Sequence, residues 1–158
     1  MSTIITPHFT QESVEHSDYA IEHGIENHVP KELQPAVKRQ CEFLEEVRSL
    51  LCGHFGEDVK IIPSSFFRGP ELNRAIGGVD TSQHMRGSAT DFHTSVGTLD
   101  EVFEVIEESD LQFDQLIEEH DKEGHRWIHI STPDEGNKAR REVLKGEKGQ
   151  RLQRIALG

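Results

Sequence analysis

Apolar positions along this chain recur with two periods. Between Glu32 and Cys52, Val37, Cys41, Leu44, Val47 and Leu51 follow at intervals of four, three, three and four, which is one face of a 3.6-residue repeat. Pro35 falls in the first turn, where its missing N–H costs nothing, and Gly53 and Gly56 mark the stop. The spacing predicts a long amphipathic helix over 32–52. Leu99, Val102, Phe103 and Ile106 predict a second helix over 98–109. A weaker pattern, with Thr10 as N-cap, Glu12 in the first turn and Gly24 as the stop, predicts a helix within 9–24, then a loop to Pro30. The stretch from Ser64 to Thr81 reads as a loop around one short helix that starts at Pro70. Short apolar runs predict strands at Asp58–Ile62, stopped by Pro63, at Phe113–Glu119, at Arg126–Ser131 and at Arg141–Leu144, the last followed by a Gly- and Lys-rich turn and a tail. Two adjacent strands joined by the short turn through Gly124 predict antiparallel pairing. The expectation is an α+β fold, a small antiparallel sheet with N-terminal helices and an inserted helix packed against it.

Length and composition bound this picture. The chain has 158 residues, 34% of them apolar, so a single domain over 1–158 with a modest core is expected, and neither a repeat nor a linker interrupts it. No apolar run approaches the ~18 residues of a membrane span. The first residues lack a basic segment followed by an apolar one, so no secretory signal is expected. The net charge of −12 argues against nucleic-acid binding, which needs clustered Lys and Arg. One basic stretch, Lys138 to Arg154, holds seven Lys or Arg among acidic neighbours and reads as a solvated edge. Two cysteines make no disulfide framework, and Cys41 and Cys52 both read as reduced and structural.

Ten histidines are many for this length, and two sit in a pattern. Ser82-Gln-His84-Met-Arg-Gly87-Ser-Ala-Thr-Asp91 brackets a glycine between a histidine and an aspartate, so the chain can turn between them. Trp127-Ile-His129-Ile-Ser131 places a second histidine in a strand of bulky residues, with 127, 129 and 131 on one face. Two histidines and a carboxylate from separate segments match a catalytic zinc site, which uses three protein ligands and keeps one position for water. The same residues also fit two hydrogen-bonded histidines in a polar loop and a strand.

The wider wording, Ser82-x-His84-x-x-Gly87-x-Ala89-x-Asp91 followed by Trp127-x-His129, resembles the family of the zinc D-alanyl-D-alanine carboxypeptidases and L-alanyl-D-glutamate peptidases, which cut bacterial wall peptides. Ser65-Phe-Phe-Arg68 and the run to Gly78 are similar to that family's Ser-Gly-Tyr-Arg segment, as are Phe9-Thr10 with the helix after it and Asn27-x-x-Pro30. The likeness runs over roughly residues 8 to 145 and is strongest to short single-domain phage or prophage members. It implies one zinc ion held by His84, Asp91 and His129, and Arg68 facing the substrate to hold a carboxylate or an oxyanion. Ser82 and Gln83, beside the first ligand, would shape the loop bordering the substrate, and Trp127 would line the pocket or pack. Phe66 stands where the family usually has glycine, which puts the shape of the groove around Arg68 in question.

The general base is the least defined element. Many members carry a glutamate three residues before the last histidine, and this chain has Arg126 there. Asp114-Gln-Leu-Ile-Glu118-Glu119 resembles the family's Asp-Gln-Leu-Ile-x-Glu strand, which favours Glu119 over Glu118, with His125 as a further choice; Glu119 also reads as a solvated strand end. His93, two residues past Asp91, is a candidate to support the ligands, and the other histidines read as surface residues. The resemblance implies a zinc peptidase for peptidoglycan stem peptides, either a carboxypeptidase or an endopeptidase. It would be made in the cytoplasm and reach the wall through lysis-type release or virion delivery, with no nucleic-acid or membrane partner. The alternative is a non-catalytic zinc-binding wall or virion module of the same fold.

Overall fold

A computed structural model describes residues 3–157. The chain opens with a two-stranded ribbon, β1 (Ile4–Thr6) and β2 (Phe9–Thr10), then the short helices α1 (Gln11–Glu15) and α2 (Asp18–His23), and the long helix α3 (Gln34–Phe55). Strand β3 (Ile61–Ser65), helix α4 (Pro70–Ala75), a 3-10 turn at Gln83–Arg86, strand β4 (Ala89–Thr94) and helix α5 (Leu99–Glu107) follow. Four strands complete the chain: β5 (Gln115–His120), β6 (Arg126–Ser131), β7 (Glu142–Glu147) and β8 (Gln153–Leu157). The six-stranded sheet runs in the order β3-β4-β6-β5-β7-β8. The α+β reading holds, with one departure from antiparallel pairing: β5 and β7 are parallel.

One face of the sheet carries the core. Phe92, Ile128, Ile130, Leu116 and Val143 point to the side covered by α3 and α5, where Val37, Cys41, Leu44, Val47 and Leu51 are buried with Val102, Phe103 and Ile106. Gln40 lies on the apolar face of α3 and is fully buried. It donates to Thr90 Oγ1 and the Ile130 carbonyl, both at 3.1 Å, and accepts from Thr132 Oγ1 at 2.8 Å. Each such bond contributes about 1 kcal/mol, and together they fix helix against sheet directly behind the site. Both cysteines are free thiols, and burial pushes that of Cys41 up to about 12.

Several expected elements are corrected. The helix expected within 9–24 is two helices, because Ser17 caps a new start: its hydroxyl accepts from the Ala20 N–H while His16 turns extended. Thr10 caps α1, and Gly24 ends α2 in the left-handed region, as the sequence implies. The strand expected at 58–62 lies at 61–65 with Pro63 inside it, which an edge strand tolerates because no neighbour claims the missing N–H on its outer side. Strand β4 lies where no strand was expected, and the tail after Leu144 is the rest of β7 and then β8.

The basic stretch is also more than a solvated edge. Arg140 grips the buried Asp114 through Nε (3.0 Å) and Nη2 (2.7 Å), and Arg154 pairs with Glu142 at 2.6 Å. Arg141 stacks its guanidinium 4.5 Å from the Phe113 ring centroid and donates to the carbonyls of Glu107, Ser109 and Leu111, closing the C-terminal end of α5.

Candidate metal centre

The second face of the sheet is open and carries the polar residues. Asp91 of β4 is directly opposite His129 of β6, and His129 is opposite Ile117 of β5. Cross-strand partners share a face, so this register sets Asp91 and His129 side by side. His84 arrives from outside the sheet on the 3-10 turn, which Ser82 caps by accepting the His84 N–H at 3.2 Å. Gly87 lets the chain leave this turn and enter β4. It sits at φ +73, and a Cβ there would lie 2.6 Å from Val37 Cγ2, so backbone conformation and close approach to α3 both require glycine.

The three candidate ligands converge. Each offers one atom, and these atoms lie within 4.8 Å of one another. His84 Nε2 is 3.3 Å and His129 Nδ1 is 2.9 Å from Asp91 Oδ1, with the two imidazoles edge to face at 5.1 Å. His84 Nδ1 is 2.7 Å from the Phe66 carbonyl, which can only accept, so that nitrogen carries the proton and Nε2 presents its lone pair. A neutral His84 thus aims a lone pair at a carboxylate oxygen, an arrangement that repels unless a proton or a cation lies between. Burial pushes the His84 pKa down, which disfavours the proton. Burial opposes the charge on Asp91, but the charges and hydrogen bonds of the two histidines outweigh it and hold its carboxyl well below the usual range. For His129 burial likewise opposes charge, and the hydrogen bond to Asp91 with the charges of Asp91 and Glu119 raises its pKa. Its Nε2 is buried without a partner among the described residues, a state that ordinarily costs about 1–3 kcal/mol. This donor set, two imidazoles and one carboxylate, fits zinc.

A cleft of about 770 Å³ opens over these residues. Arg68 borders it, donating from Nη2 to Ser82 Oγ at 3.1 Å and leaving its buried Nε without a partner among the described residues. Burial lowers its pKa against the charges of Asp91 and Glu119, and as an arginine it stays protonated. Phe66 does not crowd it: that side chain is turned into the core, 1% exposed, and contributes its carbonyl to His84 instead. Gln83 donates from Nε2 to Asp114 Oδ2 (3.0 Å) and to the Thr132 carbonyl (3.3 Å). Both are acceptors, so the amide orientation is fixed and its oxygen has no protein partner among the described residues.

Of the three candidate bases, Glu119 alone borders the cleft. Its Oε1 lies 3.9 Å from His129 Nδ1 and accepts from Trp127 Nε1 at 3.3 Å. Burial, and then the negative charge of Asp91, push its pKa up. Glu118 faces the helices, where it holds Arg126 at 2.6 Å, so residue 126 also points away from His129. His125 is exposed in the β5–β6 turn, paired with Asp121 at 2.9 Å. His93 is exposed too, and its Nε2 lies 2.8 Å from the Arg126 carbonyl, away from the ligands. Trp127 borders the cleft beside Glu119. Sequence reasoning missed the wall made by the β7–β8 turn, where Lys148, Gln150 and Leu152 face the cleft. The run of basic residues there was the available signal.

No curated protein matches the sequence. A family model described as Peptidase M15 matches residues 7–131, a span that contains all three converging side chains together with Arg68, Glu119 and Trp127. By that match the chain belongs to the Peptidase M15 family, the zinc-dependent D-Ala-D-Ala carboxypeptidase-like metallopeptidases.

Proposed function

We propose that this protein hydrolyses stem peptides of peptidoglycan, with one zinc ion held by His84, Asp91 and His129. The observation that carries the reading is the convergence of these three side chains beside a half-buried glutamate in an open cleft, in a chain of this family. When bound, zinc would lower the pKa of a coordinated water toward ~7 and polarise the scissile carbonyl.

The chain's own residues supply the rest. Glu119, whose pKa is raised by burial, takes the proton of the attacking water and passes it to the leaving amine. Trp127 holds one oxygen of that carboxylate, leaving the other for proton transfer. Arg68, which borders the cleft, holds a substrate carboxylate or the developing oxyanion. Ser82 keeps Arg68 and His84 in one frame. The test is turnover: zinc-loaded protein incubated with synthetic stem peptides and scanned for new amino termini. Zinc retained at about one per chain with every peptide left intact would remove the enzymatic reading and favour a zinc-binding wall module.

A further inference from the structure

The chain and its cleft carry opposite charge. The protein has a net charge of −12, yet Arg68, Arg86, Arg140 and Lys148 border the cleft against only two carboxylates, Asp91 and Glu119. Two of these cations are committed. Arg86 is held by Asp134 and the Thr81 carbonyl, both at 3.1 Å, and Arg140 by Asp114. Neither Arg68 nor Lys148 has an ion pair among the described residues, where the neighbouring pairs use Arg140 and Arg154. The position of Lys148 is fixed by backbone. Its N–H donates to the His120 carbonyl at 2.8 Å, and the parallel register sets Glu119 opposite Gly146. The turn carrying Lys148 therefore sits at the end of β5 that bears Glu119.

Sheet order gives the distance scale. Arg68 follows the edge strand β3, the ligands stand on β4 and β6, and Lys148 follows β7, two strands beyond His129. Neighbouring strands are ~4.8 Å apart and a strand rises ~3.3 Å per residue, so the Lys148 backbone, level with His120 and three residues beyond the partner of His129, lies about 14 Å from it, and the lysine side chain bordering the cleft shortens that gap to two or three residues of extended peptide. We propose that Lys148 forms a second anion subsite of the cleft, which takes a free carboxylate of the substrate two to three residues from the cleaved bond, on the opposite side of the metal centre from Arg68. The preferred substrate is then an acidic peptide with a carboxylate in that position. This rests on the peptidase reading for its substrate, while its test reads binding separately from cleavage. The subsite lies outside residues 7–131, so it belongs to this chain's C-terminal hairpin and not to the segment that defines the family.

Trp127 is the only tryptophan and borders the cleft, so its fluorescence reports occupancy. Two peptides differing only in whether that second carboxylate is free or amidated are titrated into the zinc-loaded full chain, and cleavage of both is followed in parallel. The expected result is tighter binding of the acidic peptide. The preference falls about three- to fivefold in Lys148→Gln, as for an exposed charge pair, falls further in Lys148→Glu, and shrinks with added salt. Lys145→Gln, a cation on the same hairpin outside the cleft, leaves the preference intact. Zinc content and circular dichroism show that each variant is folded. Equal binding of the two peptides, no binding of the acidic one, or an equal loss in Lys145→Gln overturns the subsite. A Lys148-dependent preference with neither peptide cleaved keeps the subsite and removes the peptidase reading. Cleavage without preference does the reverse.

Discussion

At the scale of single residues, the separate roles of Asp91 and Glu119 follow from their surroundings. Both carboxylates are nearly buried on the same face of the sheet, yet two histidines hold Asp91 ionised while burial pushes Glu119 toward the neutral form. Glu119→Gln is therefore expected to lower kcat by about 10²–10⁴-fold with zinc content unchanged, measured by parallel turnover and metal analysis. A kcat within about threefold of wild type would assign the proton transfer elsewhere. His84→Ala and His129→Ala are expected to lose the metal, read as zinc per chain after dialysis, because two remaining protein ligands do not make a three-ligand site. The three converging side chains were legible as letters, because spacing and the intervening glycine carry the turn geometry. The resemblance favoured Glu119 over Glu118, and the pleat turns Glu119 to the cleft and Glu118 to Arg126.

At the scale of elements, the metal loop is braced from the C-terminal half of the chain. Asp114, at the entrance to β5, joins Gln83 of the loop to Arg140 ahead of β7. Burial opposes the Asp114 charge, but the hydrogen bonds and charge of Arg140 outweigh it and hold its pKa below the ordinary ~3.9. A carboxylate whose pKa is lower in the folded state stabilises the fold above its unfolded pKa, and that contribution is lost as pH falls through the folded value. Asp114→Asn is expected to cost about 1–2 kcal/mol at pH 7, discounted because Arg140 is half exposed, with the gap to wild type closing below about pH 4. Urea melts of the pair at pH 7 and pH 3 check this. Gly87→Ala is expected to lower both stability, by more than ~1 kcal/mol, and zinc affinity, because the new methyl meets Val37 while the backbone is held at positive φ. A melt and a zinc titration of that variant read the two effects. The long helices were legible because their apolar stripes are periodic. Strand β4 was hidden because Ala89, Asp91 and His93 face the open side, leaving only Thr90 and Phe92 to mark the core.

At the scale of the whole molecule, the metal site joins the edge of a loop to two adjacent strands, so an ion there would cross-link distant parts of the chain. A ligand bound only by the folded state stabilises by mass action, about 4 kcal/mol at a thousandfold excess over Kd. Chelation is thus expected to lower the Tm of wild type and to leave that of Asp91→Ala where it is, measured by thermal melts with and without chelator. Among the described residues no helix is long and apolar enough to cross a membrane. By itself the sequence determined the helix-forming stripes, the α+β class, and the ligand-bearing motifs with their glycine, because these are local properties of spacing and residue type. Tertiary structure alone decided the rest. The parallel pairing of β5 with β7 brings a C-terminal turn to a cleft built on β4 and β6, and it turns a basic stretch that reads as solvated surface into a wall of the site. Strand order and register are set by contacts between residues far apart in sequence, and no local pattern encodes which distant strand will be the neighbour.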